Sequence, residues 1–460
     1  MSFLDLVISG GTIVTPAGRR RADVAVSDGR IVALSDHGLS APRTVDASGL
    51  LLLPGGVDTH VHLMDPGATD REDFPHGTRA AAAAGTTTII EHAHGNPVRG
   101  VQDLKAKIDH LDGRSNVDFA LAAHAWPGAE HEVGPLWEAG AAFFKVFTCT
   151  THGVPGHDAA ALWRHLRATS AAGAVSLLHC EDESLTEAAG AVLRDEGRGD
   201  GGLIPQWRNR EAEVVAAMVA GVLVRKAGAR AAVAHVSHPE VAEYLRRERD
   251  GGAGLFTETC PQYLLLREDE VLEHGPFRKF TPPARARHDA DEREMWRLLR
   301  DGVLTHVSSD HAPSTREQKT SGGIWDVHFG LPGLDTTMPA LLDAAARQMI
   351  AYEDVARLYA EVPARLYGLW PRKGRIAPGF DADIALVDPS REWTVRDAGV
   401  RSKAGWTPYD GRTFTGRVVR TYLRGEIVAE NGEPADGRTG RFLPGPGLGR
   451  YLPGPGLPPG

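Results

Sequence analysis

His60 and His62, separated by Val61, close the run Leu51-Leu52-Leu53-Pro54-Gly55-Gly56-Val57-Asp58-Thr59. Side chains two apart on a β-strand leave the same face, so this spacing sets two imidazoles side by side at a strand end. Neutral imidazoles on rigid backbone suit a borderline divalent cation, zinc above all. The pair alone is a weak signal, because histidines often fall two apart by chance. Four further residues strengthen it: Lys145 in Phe143-Phe144-Lys145-Val146-Phe147, His179 in Leu177-Leu178-His179-Cys180, His235 in Ala234-His235-Val236, and Asp310 in Ser308-Ser309-Asp310-His311. Taken singly, His179 could cap a strand, Lys145 could snorkel from a core edge and Asp310 could cap a helix. Together, four histidines, a lysine and an aspartate, each in or just after an apolar strand, point to a metal centre. Buried polar groups require partners, and a cation supplies them.

Such residues need a frame that brings distant segments to one place. From about residue 53 the chain alternates apolar strands (Thr86–Ile90, Phe143–Phe147, Val175–Leu178, Ala231–Ala234, Leu255–Thr257, Leu304–Val307) with amphipathic helical stretches (Thr78–Ala84, Ala159–Ala172, Arg210–Ala227, Pro239–Arg249). Sustained strand–helix alternation predicts an α/β fold, most simply a (β/α)8 TIM-type barrel over residues 53–370. An open doubly wound sheet is the alternative, and no GxGxxG loop follows the early strands to favour it. In a barrel the strand ends at the C-terminal face build the active site, which is where the six residues fall. Short strands punctuated by Gly10-Gly11, Pro16-Ala17-Gly18 and Asp28-Gly29 fill the first fifty residues, and strands return at Ala382–Val387, Val418–Leu423 and Glu426–Ala429. We expect a small β-sandwich domain assembled from both termini, residues 1–52 and 371–445. The Pro/Gly-rich run 446–460 reads as a tail or extended arm.

Composition sets outer bounds. The chain has 460 residues, 42% hydrophobic and 24% charged, with a formal net charge of −9, which disfavours a nucleic-acid or anionic-membrane partner. The basic cluster Arg19-Arg20-Arg21 is short and reads as a solvated turn. Three scattered cysteines fit a reducing compartment, no signal peptide or membrane-spanning run is evident, and a cytoplasmic location is expected.

The motifs in order resemble the amidohydrolase superfamily, and within it the cyclic-amidohydrolase branch of hydantoinases, dihydropyrimidinases, allantoinases and, more distantly, dihydroorotases. The resemblance covers residues 3–445. It rests on Pro54-Gly55-Gly56-Val57-Asp58-Thr59-His60-Val61-His62, on Asp73-Phe74 through Gly77-Thr78-Arg79 with Gly85-Thr86-Thr87-Thr88, and on Glu258-Thr259-Cys260-Pro261-Gln262-Tyr263-Leu264 with Thr281-Pro282-Pro283. Lys373-Gly374-Arg375-Ile376-Ala377-Pro378-Gly379-Phe380-Asp381-Ala382-Asp383 matches the re-entry into the β domain. The resemblance implies two divalent ions, zinc first among them, and a CO2-derived carbamate on Lys145 bridging them. It further implies that His60, His62, Lys145 and Asp310 hold one ion, and that Lys145, His179 and His235 hold the other. A bridging hydroxide would attack a ring amide while Asp310 shuttles the proton. His92, His94, His124, His152, His238 and His311 match no ligand position and read as supporting residues, with His311 set to contact Asp310 or substrate. A homo-oligomer, dimer or tetramer, is likewise implied.

Departures from the family patterns bear on the substrate. Dihydroorotases of this kind place an arginine two residues after the second histidine; here Met64 stands there, and a thioether cannot pair with a carboxylate. Hydantoinases carry a tyrosine five residues after the lysine, donating to the oxyanion; here the position is Thr150, which resembles allantoinases better. Losing one such donor costs ~3–4 kcal/mol, so Thr150, Thr151 or His152 is the expected replacement. Thr281, in place of a serine, Gly330 and His311 complete the expected substrate contacts. The expected activity is hydrolysis of the ring C–N bond of a hydantoin-like or dihydropyrimidine-like small molecule, with allantoin favoured. The alternatives are a dihydroorotase or a non-catalytic hydantoinase-like scaffold.

Overall fold

The computed structural model describes residues 4–36 and 38–448. Eight strands run parallel around a barrel: β1 (Gly56–Val61), β2 (Thr86–Glu91), β3 (Asp118–Leu121, resuming at Ala123–His124), β4 (Phe144–Phe147), β5 (Val175–His179), β6 (Arg230–Val233), β7 (Gly254–Thr259) and β8 (His306–Val307). Each pairs with the next. The ring closes where the His62 amide donates to the His311 carbonyl (2.8 Å) and the Ser309 amide donates to the Asp58 carboxylate (3.1 Å). Nearly every residue of these strands is buried, as expected of parallel strands covered outside by helices and filled inside by side chains.

Register sets the chemistry. Lys145 on β4 lies opposite His124 on β3 and Leu177 on β5, and Phe147 lies opposite His179. The covering helices start and stop on local signals. The helix Ala159–Ala172 begins where the Asp158 carboxylate accepts from the Ala161 amide and ends at left-handed Gly173. Arg210–Ala227 is built the same way, between Asn209 and Gly228.

Strands from both ends of the chain form two further sheets. One orders Arg30–Ser35, Asp23–Ser27, Leu6–Ser9 and Arg43–Asp46; the other runs from Glu433–Pro434 through Glu426–Glu430, Thr413–Leu423 and Ile384–Thr394 to Leu51–Pro54, Thr12–Thr15 and Gly18–Arg21. Leu51–Pro54 pairs with both Ile384–Thr394 and Thr12–Thr15, so the segment that enters β1 is itself clamped between the two termini. Lys373 ties this layer to the barrel. Its buried ammonium donates to Asp118 and Asp383 (2.6 Å each) and pairs with Asp381 (2.9 Å).

Two sequence expectations are corrected. Arg19-Arg20-Arg21 is not a turn but an edge strand paired with Thr12–Thr15, its guanidiniums directed outward to Glu353 and the Gly10 carbonyl. The third barrel strand, Asp118–Leu121, carries a weak signal in sequence, because Val117-Asp118-Phe119-Ala120-Leu121-Ala122-Ala123 is short, alanine-rich and interrupted by a charge. The chain beyond the β-sheets returns under the barrel, where Leu443 donates to the Phe119 carbonyl and Gly445 to that of Gly140 (2.7 Å each). Of the Pro/Gly-rich run, 446–448 continue this segment and 449–460 lie outside the described residues. Among the described residues no helix is long and apolar enough to cross a membrane, and all three cysteines are free and buried.

Candidate metal centre

At the C-terminal face, His60, His62, Lys145, His179, His235 and Asp310 line one small cavity, together with His94, Phe147, His152, Thr281, Ala312, Phe329 and Gly330. They come from β1, β4, β5, β6 and the turn after β8, so the barrel gathers residues up to 250 positions apart. Their polar atoms meet. Lys145 Nζ donates to His60 Nε2 at 3.1 Å, and Asp310 Oδ1 lies 3.2 Å from His60 Nε2 and 3.4 Å from His62 Nε2. On the other side His179 Nδ1 faces His235 Nε2 at 2.9 Å.

Each ring is held from behind. Glu258 accepts from His60 Nδ1 (2.6 Å), the His92 carbonyl accepts from His62 Nδ1 (2.7 Å), and Glu181 accepts from His179 Nε2 (2.8 Å). With those nitrogens donating, His60 Nε2, His62 Nε2 and His179 Nδ1 present lone pairs to the cavity. His235 Nε2 can donate to His179 Nδ1 at 2.9 Å in one tautomer, and in the other both nitrogens can turn lone pairs to a shared cation. Among the described residues His235 Nδ1 finds no partner. The donor set therefore fits divalent cations.

Electrostatics agree. Burial pushes the His60 and His179 imidazoles below their ordinary value, and His62 and His235 well below it, so the rings stay neutral as ligands require. Burial lowers the Lys145 amine to about 8 and raises the Asp310 carboxyl. Glu181 behaves differently. Burial pushes it up, but Arg208 beside it and hydrogen bonds from His179 and Thr281 bring it down to about 2. It remains an anion behind His179.

The backbone is strained where the site is built. Among the described residues eight non-glycine residues have positive φ, and three of them, His152, His235 and Asp310, line this cavity. Such strain persists only where the surroundings enforce it, and it clusters at functional sites.

The other expected contacts divide. Thr281 and Gly330 line the cavity; a Cβ on Gly330, whose φ is 121°, would fall 2.1 Å from the Ala312 carbonyl oxygen. Thr150 does not line it. Its exposed hydroxyl accepts from the Gly156 amide (3.2 Å), and His152 of the same loop lines the cavity instead, stacked on His94 with centroids 4.3 Å apart. His311 is also away from the cavity. Its Nδ1 accepts from the Gly333 amide (3.0 Å) and its Nε2 faces Glu72 (3.2 Å), so it braces the turn after β8 rather than touching Asp310. Glu258 and Glu181 escaped notice because a carboxylate behind a histidine has no spacing of its own, although Glu181 stands two residues after His179 on the same strand line.

Two further groups of potential ligands are already satisfied. Lys373 fills the cluster Asp118, Asp381 and Asp383, while Cys149, near His179 and Glu181, accepts from Arg208 with its thiol pushed up to about 12 by burial.

Comparison with known proteins follows the same line. Residues 51–428 match the Amidohydrolase family. The allantoinase of Rubrobacter xylanophilus is 36% identical over 96% of this chain and 98% of its own length; that of Bacillus velezensis is 33% identical over 95% and 97%. Among solved structures, the L-hydantoinase (dihydropyrimidinase) from Arthrobacter aurescens superimposes with a TM-score of 0.92 at 30% identity, covering 96% of this chain and all of that one. The dihydropyrimidinase from Brevibacillus agri gives 0.89 at 28%, covering 95% and 98%. A barrel with these strand-end residues, a sheet layer drawn from both termini and similarity along nearly the whole chain make the conclusion plain: this protein belongs to the amidohydrolase family.

Proposed function

We propose that this protein is a metal-dependent cyclic amidohydrolase that cleaves the ring C–N bond of a hydantoin-like substrate, with allantoin favoured. The observation that carries the reading is the convergence of His60, His62, Lys145, His179, His235 and Asp310 on one cavity, with three of the imidazoles locked from behind. His60, His62, Lys145 and Asp310 would hold one zinc ion, and Lys145, His179 and His235 a second. Lys145, an amine brought to about 8 by burial, is suited to take up CO2 as the shared carbamate. A divalent pair supplies Lewis acidity and lowers the pKa of water at the site.

The chain's own residues do the rest. Asp310, whose carboxyl is raised by burial, accepts a proton from the attacking water at Oδ and returns it to the departing ring nitrogen. Glu258 and Glu181 keep His60 and His179 in the tautomer that turns a lone pair inward. Thr281 and Gly330 border the cavity on one side, and the missing Cβ of Gly330 lets that wall pack directly on the Ala312 backbone. His152 is the residue of its loop positioned to donate to the developing oxyanion.

Relatives named allantoinase, matched along the whole chain, favour a hydantoin bearing a ureido arm. Among the described residues no arginine lines the cavity, which disfavours a carboxylate-bearing dihydroorotate, and all six chemically competent side chains disfavour a scaffold. A homo-oligomer is supported by the exposed stripe Val215, Met218, Val219 and Val222 along one helix face. The test is turnover of a panel of allantoin, hydantoin, dihydrouracil and dihydroorotate by zinc-loaded protein, followed by ring-opening absorbance. Allantoin leads on this reading; preference for dihydroorotate overturns the substrate assignment.

A further inference from the structure

Strands β2 and β3 supply none of the six residues above, yet the chain leaves β2 through His92 and His94, and β3 ends at His124. His92 stands apart from the other two by its position. Its ring centroid lies 4.7 Å from that of His60 and 4.5 Å from that of His62, and one ligating atom from each of the three rings lies within 4.8 Å of the others. The rings do not stack: their planes cross at 73°, 44° and 83°, the fan that several imidazoles adopt around a point.

His92 is 1% exposed, and among the described residues neither of its ring nitrogens has a hydrogen-bond partner. A buried imidazole without a partner is a place where an ion or a water can bind. The neighbours narrow the choice. His94, His124 and Phe143 stand around the rest of the ring, at 6.4, 6.1 and 5.4 Å, and offer no carboxylate. Meanwhile the His92 carbonyl and Glu258 occupy His62 Nδ1 and His60 Nδ1, which leaves Nε2 as the free nitrogen of each ring. A zinc-sized ion bound at ~2.0–2.1 Å brings such nitrogens to about 3.4 Å from one another, so binding draws together rings whose ligand atoms here stand within 4.8 Å. An all-imidazole set selects zinc, cobalt, nickel or copper over magnesium or calcium.

We propose that His92 completes a three-imidazole site with His60 and His62, and that this site holds one borderline divalent ion in the absence of any carbamate on Lys145. The proposal rests on the reading of His60 and His62 as metal ligands. It gives the centre one ion whose retention does not depend on CO2, with Asp310 at the open side of the same pair.

The test uses the full-length chain with Lys145→Ala, which cannot form the carbamate, and the same chain carrying His92→Phe in addition. Both are loaded with zinc, dialysed without bicarbonate, and counted for metal by mass spectrometry; cobalt substitution gives the ligand-field spectrum. The Lys145→Ala protein should keep one ion per chain, and the double variant should lose it or bind at least tenfold more weakly. His92→Cys, which restores a soft donor, should recover the ion if the folded state is intact by circular dichroism. Equal retention with and without His92 overturns the proposal, as does a Lys145→Ala protein that holds no ion. Wild-type protein holding fewer than two ions would instead count against the metal pair, so the two readings fail separately.

Discussion

Glu258 accepts from His60 Nδ1 at 2.6 Å, both side chains fully buried, one at the end of β7 and the other on β1. That contact decides which nitrogen of His60 faces the cavity. Burial by itself would raise the Glu258 carboxyl, but the His60 ring bonded to it and the His306 ring beside it hold it well below its ordinary range, so it stays an acceptor. Glu258→Gln should leave a side chain of the same size with one acceptor and no charge. Metal affinity and turnover should both fall by about 10–100-fold. Unchanged metal affinity by competition with a chromogenic chelator would separate Glu258 from the metal site.

Asp310→Asn keeps the shape of the side chain and removes the proton acceptor. The rate of ring opening should drop by about 10²–10⁴-fold, the span typical of a lost general base. The melting temperature should stay close to that of the parent. A variant turning over at near-native rate refutes the shuttle.

Thr150 and His152 separate two accounts of the loop after β4. The Thr150 hydroxyl is turned to the Gly156 amide, so Thr150→Ala should change kcat/KM by no more than about threefold, within the ordinary range of exposed substitutions. His152→Ala should cost about 10²-fold in kcat if its ring donates to the oxyanion. Measuring kcat and KM apart tells an oxyanion donor, which moves kcat, from a simple wall of the pocket.

Carbamate formation carries a pH signature of definite sign. Only the neutral amine of Lys145 attacks CO2, and burial brings that amine down to about 8. At a fixed concentration of dissolved CO2, activation of metal-free protein should slow about tenfold for each pH unit below that value and level off above it. Activation by zinc that is independent of both CO2 and pH would remove the carbamate from the account.

Much of this was legible in the residues alone. His60, His62, Lys145, His179, His235 and Asp310 all follow apolar strand segments, and a parallel barrel brings such positions to one face. Direction within a loop was not legible. Thr150 stands five residues after Lys145, but the loop turns through positive φ at His152 and Gly153, and the threonine hydroxyl bonds to the Gly156 amide on the exposed side. His311 sits next to Asp310 in sequence, yet adjacent residues leave a turn in different directions, and its ring joins Glu72. The ends of β2 and β3 were read as supporting histidines because a family pattern assigns them nothing; only the packing reveals how near His92 lies to the first pair.

The account stands most directly on metal content measured together with turnover. Protein purified after growth with zinc and bicarbonate should hold two divalent ions per chain and open allantoin, lose activity in step with removal of the ions by a chelator, and regain it when zinc and CO2 return. Full allantoin turnover by metal-free protein, or a fully loaded protein inert toward every cyclic amide in the panel, would contradict it.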